Sequence, residues 1–188
     1  NGQVTLDQEK VAAFVANLAA AYDTAGKMRT FTGVSGAEYQ LTGPYGWKID
    51  QAGEIAALTE LIQSGSVWQN GDSADREPVY SQSAASRTGC DWGNTYVQVD
   101  LAGLHVYVSK DGAGVGDCPG VTGNVSKAYT TPDGIYSLTY KEKDRILQGK
   151  KLDNGKYEYE SHVDYWMPFN GGIGFHDASW RNKFGGTI

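Results

Sequence analysis

Apolar residues follow a helical period in two segments of the first 64 residues and an alternating period after Asn94. Between Thr5 and Tyr22 they recur every three or four positions, which predicts a helix whose start either Thr5 or Asp7 can cap. A second helix is predicted to begin after Asp50, a favoured N-cap residue, and to run to about residue 64. Its buried stripe is expected to consist of Ile55, Leu58, Leu61 and Ile62.

After Asn94 the alternation of apolar and polar residues predicts short strands separated by glycine-containing turns. Short strands at regular spacing are typical of a sandwich or a partly closed barrel. The predicted segments are a hairpin of Thr95–Leu101 and Leu104–Val108 with the two-residue link Ala102-Gly103, a third strand Val115–Thr122, a strand Ile135–Tyr140, and a charged loop from Lys141 to Asn154.

The segment Ser81–Gly93 is rich in small and polar residues, which favours a hinge between two domains. We therefore predict an α+β domain over residues 1–92 and a mostly-β domain over residues 93–188.

The net negative charge of the chain argues against nonspecific electrostatic binding to nucleic acid or to an anionic membrane. Its 188 residues carry a formal net charge of −6, and the pI is about 5.0. No apolar run approaches the roughly 20 residues that span a bilayer, and no signal peptide is visible after Asn1. We expect a fragment of a longer protein, with any export signal or membrane anchor upstream.

The two cysteines do not form a recognisable motif. Cys90 and Cys118 lie 28 residues apart, a spacing that matches no common zinc or redox motif. Whether they form a disulfide is left open by the sequence, because nothing in it fixes the distance between them.

Near the end of the chain, aromatic residues crowd around a glycine-rich turn that is followed at once by His176. A histidine in this position can act as a general base at neutral pH. No nucleophile follows it in the remaining twelve residues. A metal site built from His105, His162 and His176 is not expected, because their spacing is not that of metal ligands.

Four segments of the second half resemble, in the right order, the L,D-transpeptidase (YkuD-type) catalytic domain. They are Val97-Gln-Val-Asp-Leu101 with His105-Val-Tyr, Val121-Thr-Gly-Asn124, Thr131-Pro-Asp-Gly-Ile-Tyr136, and Tyr165-Trp-Met-Pro-Phe-Asn-Gly-Gly-Ile-Gly-Phe-His176-Asp-Ala. In the first half, Tyr45-Gly-Trp-Lys-Ile-Asp50 and Arg76-Glu-Pro-Val-Tyr80 are similar to the peptidoglycan-binding domain that precedes it in Gram-positive members. Each motif is short, and their specificity comes from their order.

The resemblance implies a role for each residue around His176. His176 matches the catalytic histidine, the general base of the family, and its imidazole would be supported by Asp177 or Ser179. The substrate cleft would be formed by Tyr165, Trp166, Met167 and Phe169, with Gly171 and Gly172 letting the substrate backbone approach.

The family's cysteine nucleophile lies in a Ser/Thr-His-Gly-Cys box, which would begin just past Ile188 and is absent from this sequence. Neither Cys90 nor Cys118 fits the box, because both precede His176 and lack the flanking His-Gly. We therefore expect a catalytic domain that is cut before its nucleophile and is inactive as it stands.

The resemblance implies acyl transfer from a stem tetrapeptide of peptidoglycan to an amine acceptor, without a cofactor. Two other functions stay open: a cell-wall peptide binding module without catalysis, and an L,D-carboxypeptidase in which water resolves the acyl-enzyme. The expected partners are peptidoglycan stem peptides and, as inhibitors of the family, β-lactams of the carbapenem class. The expected location is the cell wall outside the membrane.

Overall fold

A computed structural model describes residues 5–65, 76–127 and 129–185. In chain order the elements are α1 (Gln8–Tyr22), β1 (Arg29–Thr32), β2 (Glu38–Leu41), β3 (Lys48–Ile49), α2 (Gln51–Gln63), β4 (Tyr80–Gln82), β5 (Tyr96–Asp100), β6 (His105–Lys110), β7 (Ala113–Pro119), a short 3-10 helix (Val125–Lys127), β8 (Glu142–Gln148), β9 (Glu160–Asn170) and β10 (Ile173–His176).

The described residues group into two compact units, and each unit is made of two separate stretches of the chain. The first contains residues up to 28 and 42–93, and the second contains 29–41 and everything from 94 onward. The exchanged segment is the antiparallel β1–β2 hairpin, where the side chain of Gln98 accepts a hydrogen bond from the Val34 N–H at 3.1 Å. The domain boundary that we predicted from the sequence, between residues 92 and 93, would place this hairpin in the first domain.

Both predicted helices are confirmed, and aspartates cap them. The Asp7 carboxylate accepts from the Lys10 N–H at 3.2 Å, and Asp50 accepts from the Gly53 N–H at 3.1 Å. Val15 and Ala19 of α1 pack with Ile49 of β3 in the core of the first unit. The predicted stripe of α2 is wrong at its end, because Ile62 is 45% exposed. The residue that α2 buries most completely is a carboxylate, Glu54.

The first half of the second unit is an antiparallel sheet in the order β5-β6-β7. The predicted β5–β6 hairpin is confirmed, but its loop spans residues 101–104 rather than two residues. Asp100 determines this difference, since its side chain accepts from the N–H groups of Ala102 and Gly103 at 3.0 and 2.8 Å and closes a local turn. The third strand, β7, begins at Ala113 and ends at Pro119, earlier than predicted.

The remainder of the second unit is an antiparallel sheet in the order β10-β9-β8, with β9 in the middle. Here two predictions are wrong: residues 135–140 are not a strand, and residues 142–148, predicted as part of a charged loop, form β8. Charged side chains suit β8 because it lies at a sheet edge. Among the described residues the sheets are small and none closes, so the expected partly closed barrel is not formed.

Candidate active site

His176 is the last residue of β10 and lies opposite Trp166 of β9. The turn that returns the chain from β9 to β10 contains Gly171, whose φ of 55° favours glycine, and Gly172; both are exposed. Gly174 is required for a different reason. A Cβ there would meet the carbonyl oxygen of Met167 and the Cα of Pro168, each at 2.7 Å. This close approach of the two strands fixes where His176 emerges from the sheet.

A backbone carbonyl defines the tautomer of the His176 imidazole. Its Nδ1 lies 2.7 Å from the carbonyl oxygen of Asp177. A carbonyl can only accept, so Nδ1 carries the hydrogen and Nε2 of the neutral ring keeps its lone pair. The ring is exposed, which leaves that lone pair open to a proton donor.

Two tryptophans flank the imidazole. The Trp166 ring centroid lies 5.9 Å from that of His176 at an interplanar angle of 39°, and the Trp180 ring stacks at 5.9 Å and 25°. Trp166 is 6% exposed and forms part of the buried layer, whereas Trp180 is 51% exposed. Trp180 was missed in the sequence, where its only signal is its position four residues after the histidine.

Trp166 is held from its other side by residues around β8. Its Nε1–H donates to the Tyr140 hydroxyl at 3.3 Å, and the Arg145 guanidinium lies 6.0 Å from its ring centroid. Arg145 pairs with Glu142 at 2.5 Å, and this hydrogen-bonded carboxylate raises the pKa of Arg145 above its ordinary value. Glu142, Trp166 and His176 occupy directly opposed positions across three strands, so the register of the sheet brings them together.

The other residues predicted for the cleft are not gathered around His176. Tyr165 is 51% exposed, and the Lys143 ammonium lies 5.4 Å from its ring. Phe169 instead packs against Tyr136 and Phe175, with centroids 5.7 and 5.2 Å apart. Met167 is half-buried opposite Phe175, and Gly171 and Gly172 form the strand-connecting turn.

Asp177 and Ser179, the predicted supports, differ in what they contact. Asp177 holds the imidazole through its main-chain oxygen, while its carboxylate accepts from the Tyr165 N–H at 2.8 Å. Burial raises the pKa of this carboxyl, but hydrogen bonds from backbone N–H groups outweigh burial, and the resulting pKa lies below its ordinary value. Ser179 is exposed, and its hydroxyl has no hydrogen-bond partner within the described part of the chain.

The family model for the YkuD-type L,D-transpeptidase catalytic domain matches residues 94–187, which contain the whole of this site. The chain belongs to the L,D-transpeptidase family. Its resemblance in sequence is thereby confirmed for the second half, while the predicted peptidoglycan-binding role of the first half stays a prediction.

Two solved structures resemble almost the whole of this L,D-transpeptidase chain. The Ldtfm–avibactam carbamoyl enzyme is 31% identical with a TM-score of 0.77, over 99% of this chain and 69% of that one. A cysteine-to-serine mutant of the Enterococcus faecium L,D-transpeptidase is 31% identical with a TM-score of 0.76, over 99% of this chain and 71% of that one. A search of curated protein sequences gives no significant match.

The other two histidines of this L,D-transpeptidase chain are each paired with a carboxylate. His105 Nε2 lies 2.6 Å from Asp117, and His162 Nε2 lies 2.5 Å from Asp144. The hydrogen bond that the His162 imidazole donates to the Asp144 carboxylate raises the pKa of His162 above its ordinary value. Within residues 5–65, 76–127 and 129–185, no three His, Cys, Asp or Glu side chains cluster as metal ligands do.

Cys90 and Cys118 are both exposed and carry free thiols. Both precede His176 in the chain. Of the helices that the structure describes, none combines the length and the apolar character that crossing a bilayer requires.

Proposed function

We propose that this protein acts in cysteine-dependent acyl transfer on peptidoglycan stem peptides, with His176 as the general base. The observation that carries the proposal is the fixed tautomer of His176. Its Nδ1–H is taken up by the Asp177 carbonyl at 2.7 Å, and Nε2 remains an acceptor on an exposed ring. That arrangement is what deprotonation of a thiol requires.

The proposed reaction has two halves. Nε2 of His176 takes the thiol proton as the sulfur attacks the carbonyl that precedes the terminal D-alanine of a stem tetrapeptide. The C–N bond breaks, the imidazolium returns the proton to the departing D-alanine amine, and a thioester remains. An amine of a second stem then attacks the thioester and gives a proton to His176. The C–S bond breaks, the imidazolium returns the proton to the departing sulfur, and the new amide bond is the cross-link.

The proposal requires a cysteine nucleophile, and neither cysteine of residues 1–188 matches the family's pattern for it. Cys90 and Cys118 both precede His176 and lack the family's flanking residues. We propose that the nucleophile belongs to a Ser/Thr-His-Gly-Cys box encoded after Ile188, so residues 1–188 alone are inactive. Sequencing of the gene beyond that codon is the cheapest check, and a stop codon there would leave the cell-wall peptide binding module as the function.

Inhibition by compounds that acylate the nucleophile, carbapenems among them, is part of the same proposal. The Ldtfm structure that this chain resembles is a carbamoyl enzyme formed with avibactam. We propose that carbapenems acylate the same thiol in this protein, because they present a strained carbonyl to the nucleophile that His176 activates. We also propose that the first unit binds peptidoglycan and that the protein works outside the membrane, in the cell wall. The support is the resemblance of Tyr45–Asp50 and Arg76–Tyr80 to the peptidoglycan-binding domain of Gram-positive members of the family.

Acylation by a carbapenem, followed by intact-mass spectrometry, tests the base. In a protein that includes the nucleophile, His176→Ala is expected to slow adduct formation by about 10²–10⁴-fold, the usual contribution of a general base. His105→Ala removes a histidine of the same unit and is expected to leave the rate unchanged. Residues 1–188 alone should form no stoichiometric adduct. A full-rate His176→Ala protein would contradict the role of His176.

A further inference from the structure

The side chain of Asp177 contacts the strand next to its own and not the imidazole that it follows. Its Oδ1 accepts from the Tyr165 N–H at 2.8 Å, and Tyr165 directly precedes Trp166, the partner of His176 in the β9–β10 ladder. The carboxylate thus continues the hydrogen bonding between the two strands by one step beyond the end of β10.

The main chain of the same residue holds the catalytic ring. The Asp177 carbonyl accepts from His176 Nδ1 at 2.7 Å, and the direction of that carbonyl depends on the backbone torsions of residue 177. A residue just past a strand end is free to rotate unless something ties it down. Here the carboxylate is tied to β9, so the tether and the carbonyl lie on one residue.

We infer that the Asp177 carboxylate is a positioning residue that fixes the His176 tautomer by anchoring the carbonyl to which Nδ1–H donates. The inference rests on the proposed function of His176, and it assigns Asp177 no proton transfer of its own. Among the described residues, Asp177 is the one hydrogen-bonded to the His176 ring. Without the anchor the ring is left to water, where an imidazole favours the hydrogen on Nε2, the wrong nitrogen for a base at that position.

The local electrostatics agree with an anchoring role. Although burial disfavours the charged carboxylate, the N–H groups of Tyr165, Asp164 and Asp177 itself lower the pKa of the Asp177 carboxyl. A carboxylate that accepts several backbone N–H bonds stays ionised and holds its donors firmly. The anchor therefore persists throughout the neutral range in which the imidazole works.

The test reads the tautomer directly by long-range ¹H–¹⁵N NMR of the imidazole nitrogens in residues 1–188. At a pH of about 9 an ordinary imidazole is neutral, so the spectrum distinguishes Nδ1–H from Nε2–H. In the wild-type protein His176 is expected to be predominantly the Nδ1–H form. In Asp177→Ala the Nε2–H form is expected to become the major one.

Two variants separate anchoring from a general loss of structure. Asp177→Asn keeps an oxygen that can accept from the Tyr165 N–H, so it is expected to restore most of the Nδ1–H form. Asp153→Ala removes an exposed carboxylate of the same unit and is expected to leave the His176 signals unchanged. If Asp177→Ala does not fold, the Asn variant decides, since a folded Asn protein with mainly Nε2–H overturns the inference.

The inference and the proposed function fail in different ways. A wild-type His176 that is mainly Nε2–H, or an Asp177→Ala protein that keeps Nδ1–H, overturns the anchoring role whatever the enzyme does. Loss of the anchor with a changed tautomer, but an unchanged acylation rate in the protein that carries the nucleophile, supports the anchoring and counts against His176 as the base.

Discussion

Glu54 in the first unit and His176 in the second show two opposite uses of an ionisable side chain. Glu54 is 2% exposed, and both of its oxygens are used, one by the Arg76 guanidinium and the other by the Val79 N–H at 2.8 Å. His176 is exposed, and among the described residues only its Nδ1 has a hydrogen-bond partner. A fully paired group holds a fold together, whereas a group fixed at one end and open at the other is available for chemistry.

The first prediction is that Glu54 is needed for the stability of the first unit. Glu54→Ala leaves Arg76 without its carboxylate and the Val79 N–H without its acceptor, and should destabilise the first unit by about 3 kcal/mol, the lower end for a broken buried pair because Arg76 is partly exposed. Urea denaturation followed by tryptophan fluorescence measures the change.

The matched control is Glu60→Ala on the exposed face of the same helix, which should change the free energy of unfolding by less than about 0.5 kcal/mol. If both variants lose the same small amount, the buried pair is not what holds α2 to the segment before β4.

His162 sharpens the comparison within the second unit, because it differs from His176 in having a charged partner. The hydrogen bond to Asp144 comes first among the causes that raise the pKa of His162, followed by the charges of Asp144, Asp164 and Asp177. A raised pKa in the folded state means that the pair stabilises the protein fully below the ordinary imidazole pKa of about 6.5, and that this stabilisation disappears as the pH rises through the higher folded value.

His162→Gln should therefore lower Tm at a pH of about 5.5, below the ordinary imidazole pKa, and lower it less as the pH is raised to about 8.5. The effect should be small, since the pair is exposed to solvent. Thermal unfolding monitored by circular dichroism at both pH values measures it. An equal loss at the two values would show that His162 contributes by packing and not by charge.

The helices and their caps could be predicted from the sequence because their signals are local. Asp7 and Asp50 each precede an apolar period of 3.6 residues, and both cap their helices as expected. β8 could not be predicted in this way, because its charged residues carry no alternation. It becomes a strand only through pairing with β9, in which Val163 is completely buried. The β1–β2 hairpin joins the second unit through similarly distant contacts.

The residues of the site differ in the same way, since some follow from adjacent sequence and others depend on distant contacts. His176 and the support from Asp177 follow from adjacent residues, so a family pattern along the chain is sufficient to find them. Tyr140, Arg145 and Trp180 depend on the strand register and on side-chain rotamers, which no short motif encodes. The expected cleft also included the consecutive residues Tyr165, Trp166 and Met167. All three lie on β9, and consecutive residues of a strand point to opposite faces, so they cannot all face the histidine.

We propose that the open Nε2 of His176 serves acyl transfer from a stem tetrapeptide. The most direct measurement incubates the nucleophile-bearing protein with a tetrapeptide donor and an amine acceptor and identifies the products by mass spectrometry. The expected products are the free terminal D-alanine and a new amide between the donor and the acceptor. A product formed by hydrolysis alone would indicate an L,D-carboxypeptidase. An unchanged donor that the protein still binds would rule out acyl transfer and indicate a binding module.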